Sequence, residues 1–194
     1  SSTMDTLALS DYADRYVVDR FSSLDGVAQV RIGGRQRYAM RIWLDRDQLA
    51  ARGFTVELLR AEGTPGDSES FPRWNIVARR EGVRRGDCVH FNSHHDVVEV
   101  GHGWTRDPFG GELDRRRIYG RGACDMKGGL AASIIAAEAF VDTCPDFAGA
   151  VEISATADEE TGGYGGVAWL AKRGYFSQER VQHVIIPEPL NKDR

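Results

Sequence analysis

The spacing of hydrophobic and polar positions changes several times along the chain. From Asp11 to Leu24 apolar residues recur at helical intervals, with Ser10 placed as an N-cap. Val27 to Ile32 and Arg37 to Leu44 alternate with a period of two on either side of Gly33-Gly34, which predicts two strands joined by a turn. Asp45 to Ala51 reads as a short helix, stopped by Gly53. Strands are then predicted over Phe54 to Arg60, Trp74 to Arg80 and Cys88 to Asn92. A polar, glycine-rich loop follows from Glu99 to Glu112, and a short strand from Arg116 to Tyr119. Gly129 to Val141 is Ala-rich and apolar on most sides, which predicts a buried helix. Val151 to Thr156 reads as a strand, Gly165 to Arg173 as a helix ended by Gly174, and Val181 to Ile186 as a final buried strand.

Strands that alternate with helices in this way predict an α/β fold, a mostly parallel sheet flanked by helices. The pattern divides the chain into two unlike pieces, a small α+β segment over 1–53 and a larger domain over 54–194. In parallel sheets ligands bind beyond the carboxyl ends of the strands. That draws attention to the polar residues that follow each predicted strand.

Composition narrows the class. A chain of 194 residues has room for one good core and an appendage. Its net charge of −4 argues against nucleic acid as a partner. Positive charge is almost all Arg but is scattered among acids, and Arg115-Arg116-Arg117 reads as a solvated hairpin rather than a phosphate patch. Cys88, Cys124 and Cys144 form no CxxC pair, which favours a reducing compartment. Cys124 reads as a small residue in a tight loop. The longest apolar run, Leu130 to Ala137, is too short to span a bilayer, and no signal peptide is visible, so a soluble cytoplasmic protein is expected.

The candidate chemistry is a set of acids and one histidine. His94 and Asp96, two apart in extended chain, face the same side, and a carboxylate there can orient a ligating imidazole. His95 between them should point away. Asp125 lies in a glycine-rich turn just before a helix, where its bland role would be an N-cap. Glu159 and Glu160 are adjacent acids at a strand end, so one can bind metal while the other takes a proton from attacking water. Glu188, between Pro187 and Pro189, ends an apolar strand and needs a cationic partner. Each signal alone is weak. Together they supply one imidazole and several carboxylates without a thiolate, a set that suits Zn²⁺, with Co²⁺ or Mn²⁺ as alternatives.

These motifs carry a resemblance. His94-x-Asp96-Val97-Val98, Trp104, Pro108-Phe109, Tyr119-Gly120-Arg121-Gly122, Asp125-Met126-Lys127-Gly128-Gly129, Asp158-Glu159-Glu160 and Glu188-Pro189 resemble, in order, the co-catalytic zinc amidohydrolases. That family includes acetylornithine deacetylase, succinyl-diaminopimelate desuccinylase, carboxypeptidase G and aminoacylase. The resemblance implies a pair of zinc ions, with His94 and Glu188 on one, Glu160 on the other and Asp125 bridging. It implies that Asp96 orients His94, that Glu159 is the general base, and that the Asp125–Met126 peptide is cis. It further implies hydrolysis of an N-acyl amino acid or small peptide, and a homodimer as an option for the complete protein. The family's last histidine ligand and its lid domain have no counterpart here, so the chain is expected to hold the N-terminal half of a catalytic domain. Residues from about Thr3 to Thr55 instead resemble a porter-domain segment of resistance-nodulation-division efflux transporters, through Asp11-Tyr12-Ala13-Asp14-Arg15-Tyr16-Val17, Gly26-Val27-Ala28-Gln29-Val30 and Tyr38 to Asp45. A fusion is expected. The competing expectation is a non-enzymatic interaction or structural fragment with a vestigial metal site.

Overall fold

The computed structural model describes residues 9, 12–22, 30 and 46–189. In the first piece a π-helical turn, Ala13–Val18, runs into the short helix α1, Asp19–Ser22. The strands expected over Val27 to Ile32 and Arg37 to Leu44 fall outside the described residues, Val30 excepted.

The rest is organised around one sheet. After helix α2 (Arg46–Ala51) come β1 (Thr55–Arg60), β2 (Trp74–Glu81) and β3 (Arg84–His94). A hairpin of β4 (Glu112–Asp114) and β5 (Arg117–Tyr119) precedes helix α3 (Gly128–Thr143), and β6 (Ala148–Thr156), helix α4 (Val167–Lys172) and β7 (His183–Ile185) complete the order. The main sheet runs β1-β2-β6-β3-β7. Its class is the expected α/β, but the sheet is mixed rather than mostly parallel: the parallel pairings are β3 with β6 and β3 with β7. The β1–β2 and β2–β6 pairings are antiparallel. β2 and β3 leave a tight turn as if to pair, yet β6 lies between them. The turn is held from below, where Gly82 and Val83 donate to the carbonyls of Gly149 and Phe147.

Alternation along the strands gives the sheet two different faces. One face presents Ala78, Val151, Ile153 and Ala155 to Leu130, Ala137 and Val141 of α3, with Leu49 and Phe54 closing the edge. Burying Leu130 fully contributes about 1.5–3 kcal/mol. Leu49 belongs to α2, and Arg52 just after it lies 3.2 Å from Asp142 and 3.5 Å from Glu138 of α3. The other face carries Val77 and Ala61 against Trp169 and Leu170 of α4. On β3 and β6 the same face carries Cys88 and Ala150 against Val181, and beyond them the buried polar residues His90, Asn92, Glu152 and Ser154.

Two expected burials differ. α3 buries only the stripe Leu130, Ser133, Ala137 and Val141, and Ile135 is 65% exposed on its far side. Its apolar content is general, but one layer of sheet covers only one stripe of a helix. The last strand is exposed along its whole length, because β7 is the sheet's outer member and pairs with β3 alone. Among the described residues, no helix is long and apolar enough to cross a membrane.

Candidate metal centre

β3 ends at His94, and β6 and β7 run parallel to it, so the segments leaving these strands emerge on one edge of the sheet. That edge collects the acids. Glu159 and Glu160 lie on a single 3-10 turn after β6, Glu188 follows β7, and Asp125 comes from the turn that enters α3. Around His94 Nε2 stand Asp125 Oδ1 at 3.1 Å, Glu188 Oε1 at 3.5 Å and Glu159 Oε2 at 3.7 Å. Two groups of side chains thus offer ligand atoms within 4.8 Å of one another: His94, Asp125 and Glu188, and His94, Glu159 and Glu160. His94 is buried, while Asp125 and Glu159 are about half exposed, so the centre opens to solvent on its acid side.

The loops are fixed from behind. Asp96 receives the main-chain N–H groups of both Glu159 and Glu160, each at 3.2 Å, one on each carboxylate oxygen. Its own main-chain carbonyl lies 3.0 Å from His94 Nδ1, nearer than its carboxylate at 3.5 Å. A carbonyl can only accept, so Nδ1 carries a proton, and in the neutral ring Nε2 holds the lone pair that faces the acids. Orientation of His94 therefore comes chiefly from the backbone of Asp96, while the Asp96 side chain sets the acid turn. Asp125–Met126 is a cis peptide, and buried Met126 accepts the His94 N–H on its sulfur at 3.2 Å. Gly129 lets the start of α3 touch the strand exit that carries Glu188: a Cβ there would stand 2.3 Å from the Pro187 carbonyl oxygen. His95 turns away and contacts the Trp74 carbonyl, as alternation predicts.

Two supports were not legible in the sequence. Asn75, fully buried in β2, donates to the Gly165 carbonyl and accepts from Ala157 N–H, tying the end of β6 to the approach of α4. Asp158 sits in the left-handed region at φ 69° and is buried. It accepts from the Thr161 hydroxyl and from Gly165 N–H at 3.0 Å, and Arg73 Nε lies 3.3 Å away. Together they hold the turn bearing Glu159 and Glu160. The signal for Asn75 was an amide inside an otherwise strand-like run, Trp74 to Arg80.

The electrostatics favour a cation. Burial alone would lower the His94 pKa, but the Asp96 hydrogen bond and charge and the Asp125 carboxylate raise it to about 9. Burial, then the charge of Asp125, pushes Glu160 up. Burial and the crowd of acids push Glu188 up, against His94. Asp96 goes the other way: burial would raise it, but His94 and the two main-chain N–H groups hold it down. Among the described residues no Lys or Arg lies within ion-pair distance of Asp125, Glu159, Glu160 or Glu188. An imidazole nitrogen facing unneutralised carboxylates, with no thiolate, fits Zn²⁺ or a similar divalent ion.

The comparisons with known proteins agree. The model of Peptidase family M20/M25/M40 matches residues 90–194. The chain is 40% identical over 157 residues to a succinyl-diaminopimelate desuccinylase of Methylobacterium nodulans, covering 76% of this chain and 37% of the relative. A desuccinylase of Paracoccus denitrificans is 40% identical over 154 residues, covering 76% and 37%. Among solved structures, human carnosine dipeptidase 1 superposes with a TM-score of 0.59 at 26% identity, over 72% of this chain and 30% of that one. The yeast di-peptidase Dug1p, from Saccharomyces cerevisiae, gives 0.57 at 21% identity, over 72% and 31%, and supports the fold alone.

What these matches define is a peptidase-type α/β fold. The chain belongs to Peptidase family M20/M25/M40, and it spans a little over a third of the length of the curated relatives it matches. The model of the AcrB/AcrD/AcrF family also matches residues 1–62, less than a third of the chain, which gives the porter-like resemblance weak support.

Proposed function

We propose that this chain carries the metal-binding half of an amidohydrolase site that cleaves an N-acyl amino acid, with a succinyl-type amide as the first candidate. The observation that carries this reading is the convergence of Asp125, Glu159, Glu160 and Glu188 on the buried imidazole of His94. The curated relatives named above are desuccinylases, which supports the acyl-amide class.

In this reading His94, Asp125, Glu160 and Glu188 would hold the zinc. Zinc bound there would supply a Lewis acid and make water a good nucleophile near neutral pH. Glu159 takes the proton from the attacking water on a carboxylate oxygen and returns it to the leaving amine nitrogen. Asp96 keeps the Glu159–Glu160 turn in register through its two N–H contacts, so that ligand and base stay adjacent. Cobalt or manganese would meet the same donor set. The substrate is a small molecule. We place the boundary of the hydrolase piece before Arg46, since Leu49 belongs to its core and Arg52 pairs with α3. The alternative, a non-enzymatic fragment, is not favoured by the family match or by the relatives.

The test is the zinc content of the purified chain by mass spectrometry, beside Asp125→Ala. The expected result is about one tightly held zinc per chain, absent from the variant, because this acid lies nearest to His94 Nε2. No zinc in either protein would overturn the assignment.

A further inference from the structure

At the opposite end of the sheet an open cleft of about 410 Å³ is lined by four arginines, Arg79, Arg84, Arg85 and Arg180. Its size falls in the range of small-molecule sites, about 300–1,000 Å³. The cleft exists because the β3–β6 ladder is irregular there. Arg84 pairs with Ala148 and Cys88 with Ala150, so four steps along β3 are matched by two along β6. Such bulges re-aim side chains at a sheet's rim. This one is built on glycine: Gly149 has φ +84°, and a Cβ on it would stand 1.9 Å from the Asp87 carbonyl oxygen.

The inner pair of guanidiniums is preset. Glu152, with no exposed surface, receives Arg180 through Nε and Nη2 and has Arg79 Nη1 at 3.3 Å. Arg180 also stacks over the Tyr175 ring at 4.6 Å. These contacts leave Arg180 Nη1 and Arg79 Nη2 without a hydrogen-bond partner among the described residues. At the mouth, Arg84 donates only to the Asp146 carbonyl, and neither Arg84 nor Arg85 has a carboxylate within ion-pair distance among the described residues. Two acids also line the cleft, Glu81, engaged by Arg79 at 2.6 Å, and Glu179. A planar guanidinium already fixed by one carboxylate offers its free edge to a second anion at little further cost in order.

We propose that this cleft binds a compact anion bearing two or more negative charges, of the phosphate or dicarboxylate kind, held between the Arg79–Arg180 pair and the Arg84–Arg85 mouth. The site is separate from the metal centre and stands or falls independently of the hydrolase reading. The test is calorimetric titration of the full chain, dialysed free of metal so that the His94 centre does not capture the probe, with inorganic phosphate and in parallel with succinate. Saturable one-to-one binding of either probe is expected, and the stronger one identifies the chemistry. Arg85→Glu, at a side chain with no hydrogen bond or ion pair to a described residue, and the double variant Arg84→Ser/Arg85→Ser should weaken it about tenfold or more with an unchanged melting midpoint. Absence of saturable binding by both probes, or equal binding by Arg85→Glu, would overturn the proposal.

Discussion

The two ends of the β3–β6 pair handle acidic side chains in opposite ways. At one end four carboxylates surround His94 with no arginine or lysine among the described residues to neutralise them. At the other end a single carboxylate, Glu152, is fully buried and surrounded by Arg79, Arg180 and His90, whose Nδ1 lies 2.8 Å from it. His90 and Glu152 at one end, and His94 at the other, stand on these two strands four residues apart in register, since His90 faces Glu152 and His94 faces Thr156. The lesson is that carboxylates on this sheet are satisfied by the chain wherever their role is structural. Where the chain leaves them unsatisfied, it leaves room for a cation from outside.

The largest effect should come from breaking the satisfied end. Glu152→Ala would leave Arg79 and Arg180 beside each other without their shared anion. A loss of about 3–5 kcal/mol is expected in urea unfolding, as for other broken buried pairs. The same group sets an acid limit. Burial would raise the Glu152 pKa, but His90 and Arg180 hold it below the usual carboxylate range. A depressed acid contributes stability above its unfolded pKa and loses it as pH falls through the folded one. Unfolding at acid pH should therefore show a loss below the ordinary carboxylate range that Glu152→Gln lacks. If Glu152→Ala unfolds like the parent chain, the distinction between the two ends fails.

The unsatisfied end predicts the opposite sign. Replacing one acid there relieves repulsion, so Glu160→Gln should leave the metal-free chain as stable as before or more stable, by up to about 1 kcal/mol. The same substitution should reduce the rise in unfolding midpoint that added zinc gives the parent chain. A variant destabilised without metal would mean that Glu160 is held by the protein after all, and would move it to the same class as Glu152.

How much of this could be read from the sequence depends on what each residue faces. The candidate metal-site residues were legible because most of them end a recognisable element: His94 closes β3, Glu159 and Glu160 leave β6, Glu188 leaves β7. Their assembly follows from parallel strands ending on one edge. The role of Asn75 was hidden, because its partners are main-chain groups of Ala157 and Gly165 that no side-chain pattern reveals, and that of Asp158 because Thr161, Gly165 and Arg73 meet it only in the folded turn. The insertion of β6 between β2 and β3 was hidden for a similar reason, since a strand pattern says nothing of its neighbours. β3 begins four residues earlier than alternation suggested, at Arg84, because the polar run Arg84 to Asp87 forms the bulge and not a regular ladder. The burial of β7 was misread because an apolar strand was assumed to lie inside the sheet, whereas it pairs on one side only.

The charge run at Arg115-Arg116 separates geometry from simple charge and gives the smallest expected effect. The sequence reads it as a solvated hairpin, and it is the turn between β4 and β5, with φ of 46° at Arg115 and 67° at Arg116. Both residues occupy the left-handed region that two-residue hairpins demand and that Asn-Gly fills at lower cost. The double substitution Arg115→Asn/Arg116→Gly should stabilise the chain by about 1 kcal/mol. It also removes two positive charges, as many as Arg84→Ser/Arg85→Ser does. Phosphate and succinate titrations of the hairpin variant should match the parent chain, because the lost charges do not line the arginine cleft. If the hairpin variant weakened anion binding as much as the cleft variant did, net charge and not the preset guanidiniums would account for it. The contrast between the two ends would then reduce to the balance of charges over the whole chain.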